Sequence, residues 1–272
     1  MIEATLDEYV RAEKTFGGKT KTVYRRGDTG PGVLLMHEIP GITPKLLGLG
    51  KVISDAGFRV AIPSLFGTDG AAPGPIAEVA QVLRMCINAE FNVWAGNGSS
   101  PVVDWLRELC KDVAAETGGP VGAIGLCITG GFALSLTVGT DGVVRAPVMS
   151  EPSLPFGMPG FSHGADLHLT PAERDEIHAA AAPPVMGLRF TSDSLCPKAR
   201  FDAYADLLGP RFAPHRIEIR SPDPAFGIKA SAHSVLTQHN QDAPPDHPTK
   251  LAVEQVLTFL RENLAQPTRT EP

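Results

Sequence analysis

The sequence contains few of the features that mark metal-binding, exported or disulfide-bonded proteins. Only four of its 272 residues are cysteines, and their positions show no CxxC pair or other metal-ligand spacing. The N-terminal segment MIEATLDEYVRAEK is acidic and lacks the apolar core of a signal peptide. We therefore expect no metal ion, no structural disulfide and a cytoplasmic location, where thiols stay reduced.

Long apolar runs and basic clusters are also missing. No apolar run approaches the roughly 20 residues that a helix needs to span a bilayer. Lysine and arginine form no run, and the formal net charge is −6. These features argue against a membrane or a nucleic acid as the partner. They do not exclude a small anionic substrate, because one local arginine can dominate the charge of a pocket.

What the sequence does contain is a regular alternation of apolar strands and helices. Strands are predicted at residues 21–26, 32–38, 58–65, 121–126, 143–149, 183–190 and 216–220. Helices are predicted at residues 45–56, 76–91, 99–119, 130–139, 197–208 and 248–264, and from Thr170 onward. Continuous apolar strands between helices indicate a mostly parallel sheet covered on both faces, and therefore an α/β fold.

The domain organisation follows from the same alternation. We expect a single domain over residues 1–272, with residues 1–20 and 265–272 at its periphery. Residues 150–169 are rich in proline, glycine and serine, and we expect an irregular surface excursion there. Functional groups in such sheets gather at the carboxyl ends of the strands. That rule selects Glu38, the turn at Cys127, Asp193 and the loop after residue 220.

The segment GLCITGG, residues 125–131, joins a predicted strand to a predicted helix. Such a turn is typical of a nucleophile elbow, in which a reactive side chain stands on a sharp turn between small neighbours. The N-terminus of the following helix favours a thiolate at Cys127. Thr129 departs from the pattern, because a glycine is expected two residues after the nucleophile. The residues alone leave two interpretations open: a nucleophile, or a small buried cysteine in a glycine-rich turn.

A cysteine nucleophile works best with an imidazole base and an orienting carboxylate. Asp193 directly follows the predicted strand 183–190, whereas Asp202 and Asp206 lie inside a predicted helix. His233 lies among small residues in the loop after the last strand. On its own it is also compatible with an ordinary surface loop. The other histidines after Cys127 are expected away from the site: His163, His168, His178, His215, His239 and His247.

Four motifs occur in an order that resembles the dienelactone hydrolase family, a cysteine branch of the α/β hydrolases. They are His37-Glu38-Ile39-Pro40-Gly41, the turn at 125–131, Asp193 and Ala232-His233-Ser234, and the match spans roughly residues 20–262. The resemblance rests on the four motifs together and on their order in the chain.

The resemblance implies the α/β-hydrolase fold and a triad formed by Cys127, His233 and Asp193. It also implies that Glu38 contacts the resting thiol and takes part in its activation. Without the resemblance, Glu38 is only a loop carboxylate. The backbone N–H groups of Ile39 and Ile128 would form the oxyanion hole.

Two positions bear on the substrate. Dienelactone-cleaving members carry an arginine four residues after the catalytic histidine, whereas this chain has Thr237. Arg84 is the only arginine within 76–91, so it is a candidate substrate-binding residue or a solvated helix residue. We therefore expect hydrolysis of a small-molecule ester or lactone without any cofactor. The alternatives are a carboxylesterase or thioesterase of another substrate class, and a non-catalytic scaffold that binds a ligand or senses oxidants through Cys127.

Overall fold

The computed structural model of the chain describes residues 3–71, 100–153, 165–167, 169–178, 182–237 and 243–265. Eight strands form one sheet within these ranges: β1 (Val10–Phe16), β2 (Lys19–Arg26), β3 (Gly32–Met36), β4 (Arg59–Pro63), β5 (Val121–Leu126), β6 (Val144–Ser150), β7 (Met186–Phe190) and β8 (Arg216–Ile219). The described α-helices are α1 (Pro44–Asp55), α2 (Pro101–Thr117), α3 (Gly130–Ser135), α4 (Pro171–His178), α5 (Lys198–Leu208) and α6 (Pro248–Leu264). None of the described helices is long and apolar enough to cross a membrane.

The strands lie in the order β1-β2-β4-β3-β5-β6-β7-β8. All pairs from β4 to β8 are parallel, whereas β1 and β2 pair antiparallel with their neighbours. This arrangement confirms the predicted mostly parallel sheet. Because parallel strands end at the same edge, the loops after β3, β5, β6, β7 and β8 all meet there.

An apolar core lies on each face of the sheet. Consecutive residues of a strand point to opposite faces, and on β3 Leu34 and Leu35 belong to different cores. One core includes α1 and α6, through side chains such as Leu46 and Val256. The other includes α2, α3, α4 and α5. Strand β5 is buried along its whole length, because helices cover both of its sides. The prediction of helices on both faces is confirmed.

Two elements differ from the predictions. Strand β1 pairs with β2, yet its exposed and half-buried side chains give little apolar contrast, so the sequence pattern does not predict it. Helix α3 ends at Ser135 instead of residue 139. The chain turns there, with Gly139 at a φ of 68° and the Thr140 hydroxyl donating to the Leu136 carbonyl at 2.9 Å. The predicted helix 76–91 lies outside the described residues.

Candidate active site

Cys127 lies at the tip of the turn between β5 and α3. Its φ of 52° is unusual for a residue with a side chain, and only 6% of its surface is exposed. The turn needs glycine on both sides of the cysteine. A Cβ at Gly125 would lie 2.1 Å from the Thr129 carbonyl oxygen, and one at Gly130 would lie 2.6 Å from the Cα of Pro152. The sharp, crowded turn expected of a nucleophile elbow is therefore present.

Thr129 holds this turn together instead of loosening it. Its hydroxyl oxygen accepts the Leu126 N–H at 3.0 Å. Its hydroxyl hydrogen can reach the Leu126 carbonyl at 3.0 Å and two carbonyls at the end of β3, those of Met36 at 3.2 Å and His37 at 3.3 Å. The side chain is fully buried. A threonine here fixes the elbow to β3, which a glycine could not do.

Asp193 and His233 form a hydrogen-bonded pair, with 2.7 Å between Oδ2 and Nδ1. Asp193 follows β7, and His233 lies in the loop after β8, as predicted. The second oxygen of Asp193 accepts the backbone N–H groups of Leu195 at 2.9 Å and Cys196 at 3.2 Å. These bonds fix the buried carboxylate, so that it in turn fixes the imidazole ring.

The surroundings of His233 favour its protonated form. Burial disfavours the imidazolium, but the hydrogen bonds with Asp193 and Cys127 outweigh it and raise the pKa of His233 well above its usual range. Ser153 Oγ lies 3.3 Å from Nε2 of the ring and donates its own hydrogen to the Glu151 carbonyl at 2.8 Å. The serine oxygen can therefore accept the Nε2–H.

Glu38 lies just beyond the end of β3 and is almost fully buried. Its Oε2 accepts the Ser234 hydroxyl at 2.5 Å, and its Oε1 accepts the Thr237 hydroxyl. Thr237, at the position where an arginine is expected, thus binds a carboxylate of the protein itself. The expected contact of Glu38 with the Cys127 thiol stays a prediction.

The last residue of β6 and those just after it correct the expectation of a surface excursion over residues 150–169. Ser150, Glu151 and Ser153 are fully buried, and their backbone packs against the elbow through a bond from Ser153 N–H to the Cys127 carbonyl at 3.0 Å. Residues 154–164 are outside the described ranges. The proline, glycine and serine content of the whole segment predicts a surface loop, so the burial of its first four residues was not predicted. Their position at a strand end was the signal that could have identified them.

The short segment His233–Thr237 is tied to carboxyl groups on three strands. His233 bonds Asp193 after β7, Ser234 and Thr237 bond Glu38 after β3, and the Val235 N–H bonds Glu151 after β6 at 3.0 Å. Asp193 and Glu38 were predicted as site residues from the sequence, whereas Glu151 was not. The loop that carries the imidazole is therefore fixed at several points.

Three further residues were predicted for the site: Ile128, Ile39 and Arg84. Ile128 follows Cys127 in the first helical turn, where N–H groups lack acceptors within the helix. Ile39 follows Glu38 at the end of β3, which is the direct neighbour of β5. Arg84 lies outside the described residues. His37 is fully buried beneath the site, where its Nε2 accepts the Leu65 N–H at 3.0 Å.

The cysteines and acidic side chains in the described part of the chain form no metal-binding cluster. Cys110, Cys127 and Cys196 are free thiols. Within the described ranges, no group of three or more His, Cys, Asp or Glu side chains is arranged to hold a metal ion.

The strand order, with its sharp turn after β5, defines an α/β hydrolase. The model of the dienelactone hydrolase family matches residues 20–222, and the chain belongs to that family. This membership supports an ester-hydrolysing enzyme. A search of curated proteins found no match.

Solved structures of the same fold share little sequence with this chain. A dienelactone hydrolase-like promiscuous phosphotriesterase from metagenomic libraries is 15% identical, with a TM-score of 0.60 over 94% of this chain and 98% of the other. A cold-adapted esterase from an Arctic intertidal metagenomic library is 16% identical, with a TM-score of 0.54 over 94% and 93%. Est1E from Butyrivibrio proteoclasticus is 12% identical, with a TM-score of 0.54 over 93% and 98%. At these identities the likeness shows the fold.

Proposed function

We propose that this chain hydrolyses a carboxylic ester or lactone with Cys127 as nucleophile, His233 as general base and Asp193 as the group that orients the imidazole. The observation that carries the proposal is the hydrogen-bonded His233–Asp193 pair, at 2.7 Å, beside a cysteine on a strained turn. Three groups from three separate strand ends meet at one edge of the sheet, in the roles that acyl transfer requires.

In the first half-reaction the Cys127 thiolate attacks the carbonyl carbon of the substrate. The N–H groups of Ile128 and Ile39 stabilise the negative charge that develops on the carbonyl oxygen. His233 carries the proton taken from the thiol and gives it to the departing alkoxide, or to the ring oxygen of a lactone. The carbon–oxygen bond breaks, and the acyl group remains on sulfur as a thioester.

In the second half-reaction water replaces the alcohol. His233 takes a proton from the water as the oxygen attacks the thioester carbon, and the carbon–sulfur bond then breaks to restore the thiolate. Asp193 keeps Nδ1 protonated throughout, so that Nε2 faces the reacting atoms. No step requires a cofactor.

The contacts of Glu38 bear on the class of substrate. The family resemblance gives Glu38 a part in activating the thiol, and its two oxygens are held by Ser234 and Thr237. Thr237 brings no positive charge to the place where an arginine would hold a substrate carboxylate. We therefore expect neutral esters and lactones to be better substrates than lactones that carry a carboxylate, with a kcat/KM ratio of about tenfold or more.

The test is hydrolysis of p-nitrophenyl acetate by the purified protein before and after treatment with iodoacetamide. The proposal expects Cys127→Ala to abolish turnover with little change in the thermal melt, and iodoacetamide to inactivate the wild type and Cys110→Ala alike. Cys110→Ala is the matched control, because burial raises the pKa of the Cys110 thiol to about 12 and makes it inert. Rapid alkylation of Cys127 without turnover of any ester or lactone would overturn the proposal in favour of a thiol sensor.

A further inference from the structure

Glu151 is a buried acid at the active-site edge to which the mechanism gives no role. Its side chain is completely inaccessible to solvent. Its φ of 35° lies in the left-handed region, which a residue with a side chain rarely adopts. Strained backbone of this kind persists only where the surrounding contacts enforce it, and it concentrates at functional sites.

The two oxygens of Glu151 have different surroundings. Oε2 accepts the Ser150 hydroxyl at 2.6 Å and the Val235 N–H at 3.0 Å. Oε1 is buried and has no hydrogen-bond partner among the described residues. Burying a carboxylate is unfavourable in free energy when one of its oxygens has no hydrogen-bond donor. A carboxylic acid with its proton on that oxygen carries no charge and avoids this penalty. The contacts therefore fit the protonated form.

The charged groups around Glu151 act in opposite directions. His233, in the loop after β8, favours the carboxylate, and Glu38, after β3, opposes it. Burial is the largest influence and raises the pKa of Glu151 to about 8. Cys196, between β7 and α5, also lies within the electrostatic reach of Glu151. On α5, Arg200 donates to the carbonyl of Pro152, the next residue in the chain, at 2.9 Å.

We propose that Glu151 is a positioning residue that keeps a proton through turnover, and that its uncharged form holds the His233 loop while leaving the imidazole free to release its proton. The inference rests on the proposed role of His233 as the base. Glu151 holds the loop through the hydrogen bond that it accepts from the Val235 N–H, two residues from His233. Because Glu151 is uncharged, it does not stabilise the imidazolium of His233.

The sign of the effect follows from the charges. An ionised Glu151 would stabilise the imidazolium of His233, because opposite charges attract. The ring would then give its proton less readily to the leaving alcohol, and it would remain protonated when deacylation needs a neutral base. We therefore expect kcat/KM to fall as the pH rises through the ionisation of Glu151.

The variants separate charge from hydrogen bonding. Glu151→Gln keeps an oxygen for Val235 and Ser150 and can never ionise, so kcat/KM near pH 7 should fall no more than about threefold. The alkaline fall in its pH profile should move upward by about one pH unit or more, with the acid limb unchanged. Glu151→Ala leaves two donors without an acceptor and should lose about tenfold to a hundredfold. Glu254→Gln, at an exposed position of α6, is the matched control and should follow the wild type.

Two kinetic results would overturn the inference. Superimposed profiles of the wild type and Glu151→Gln would mean that the charge of Glu151 has no effect on the base. A displaced acid limb would mean that Glu151 is already ionised at neutral pH.

A second measurement does not depend on turnover. The carboxyl ¹³C resonance that is present in the labelled wild type and missing in Glu151→Gln should titrate near pH 8. Titration at the ordinary glutamate value of about 4.3 would overturn the inference. A resonance that titrates near pH 8 in a protein without ester turnover would remove the proposed hydrolysis and leave the protonated Glu151 in place.

Discussion

His233 Nδ1 lies 2.7 Å from Oδ2 of Asp193, although the two residues are 40 positions apart in the sequence. The two side chains come from loops after neighbouring strands, β7 and β8. Asp193 is itself fixed by two backbone N–H groups. The pair is therefore set before any substrate binds, and it fixes the tautomer and orientation of the imidazole.

The Asp193–His233 bond predicts a large effect of Asp193→Asn. An amide nitrogen facing Nδ1 donates a hydrogen instead of accepting one, so it favours the tautomer with the wrong nitrogen protonated. We expect kcat for p-nitrophenyl acetate to fall by about 10²- to 10⁴-fold, as for the corresponding change in a serine triad. Asp206→Asn, on the exposed side of α5, is the control and should leave kcat unchanged. Wild-type kinetics in Asp193→Asn would exclude Asp193 from the triad.

Much of this site follows from the rule that functional groups gather at strand ends. Glu38, Cys127, Asp193 and His233 were predicted from their positions after apolar strands, and the structure places them in the segments that follow β3, β5, β7 and β8. The rule works because parallel strands must end at a common edge, whatever the loops contain.

The contacts between loops could not be predicted in the same way. Thr129 departs from the elbow pattern in the sequence, and nothing in the sequence shows that its hydroxyl contacts a carbonyl of β3. Glu151 lies in a segment whose average composition is that of a surface loop. Strand β1 was missed because an edge strand with little burial carries a weak apolar alternation.

Thr129 should stabilise the elbow through its hydroxyl. Thr129→Val keeps the shape of the side chain but leaves the Leu126 N–H without its acceptor, so we expect the free energy of unfolding to fall by about 1–3 kcal/mol. Thr129→Ser keeps the hydroxyl and is the matched control. Urea denaturation of the two variants measures the difference, and equal stabilities would show that the hydroxyl bonds contribute nothing.

Thr237 should support Glu38. In Thr237→Val, Glu38 loses one of its two hydroxyl donors while remaining buried, so its carboxylate is less well stabilised. We expect kcat/KM for a neutral ester to fall by about tenfold, and Thr237→Ser to restore it. Steady-state kinetics of both variants provide the measurement. An unchanged rate in Thr237→Val would show that the Thr237 bond does not support Glu38 in the activation of the thiol.

His37 should make the stability of the fold depend on pH. Burial lowers the pKa of His37 from 6.5 to about 4, so between these values the unfolded chain binds a proton that the folded chain excludes. Stability contributed by the neutral ring is therefore complete above about pH 6.5 and is lost as the pH falls towards 4.

The size of this effect can be measured by urea denaturation near pH 5 and near pH 7. From this residue we expect the free energy of unfolding to be about 2 kcal/mol lower near pH 5. Other groups titrate in the same range, and Glu151 and His233, whose pKa values are raised, oppose this trend. The test is therefore the comparison with His37→Gln, whose stability should lack the loss of about 2 kcal/mol between pH 7 and pH 5. An equal pH dependence in both proteins would mean that His37 titrates normally in the fold.

The most direct test of the central claim is to catch the acyl group on sulfur. The protein is mixed with p-nitrophenyl acetate, quenched in acid within the first turnovers, and analysed by intact and peptide mass spectrometry. The account predicts one added acetyl group, located on Cys127, that is absent from Cys127→Ala and accumulates when the His233 imidazole is removed by His233→Ala. Steady turnover without any acetyl group on Cys127, retained by Cys127→Ala, would contradict it.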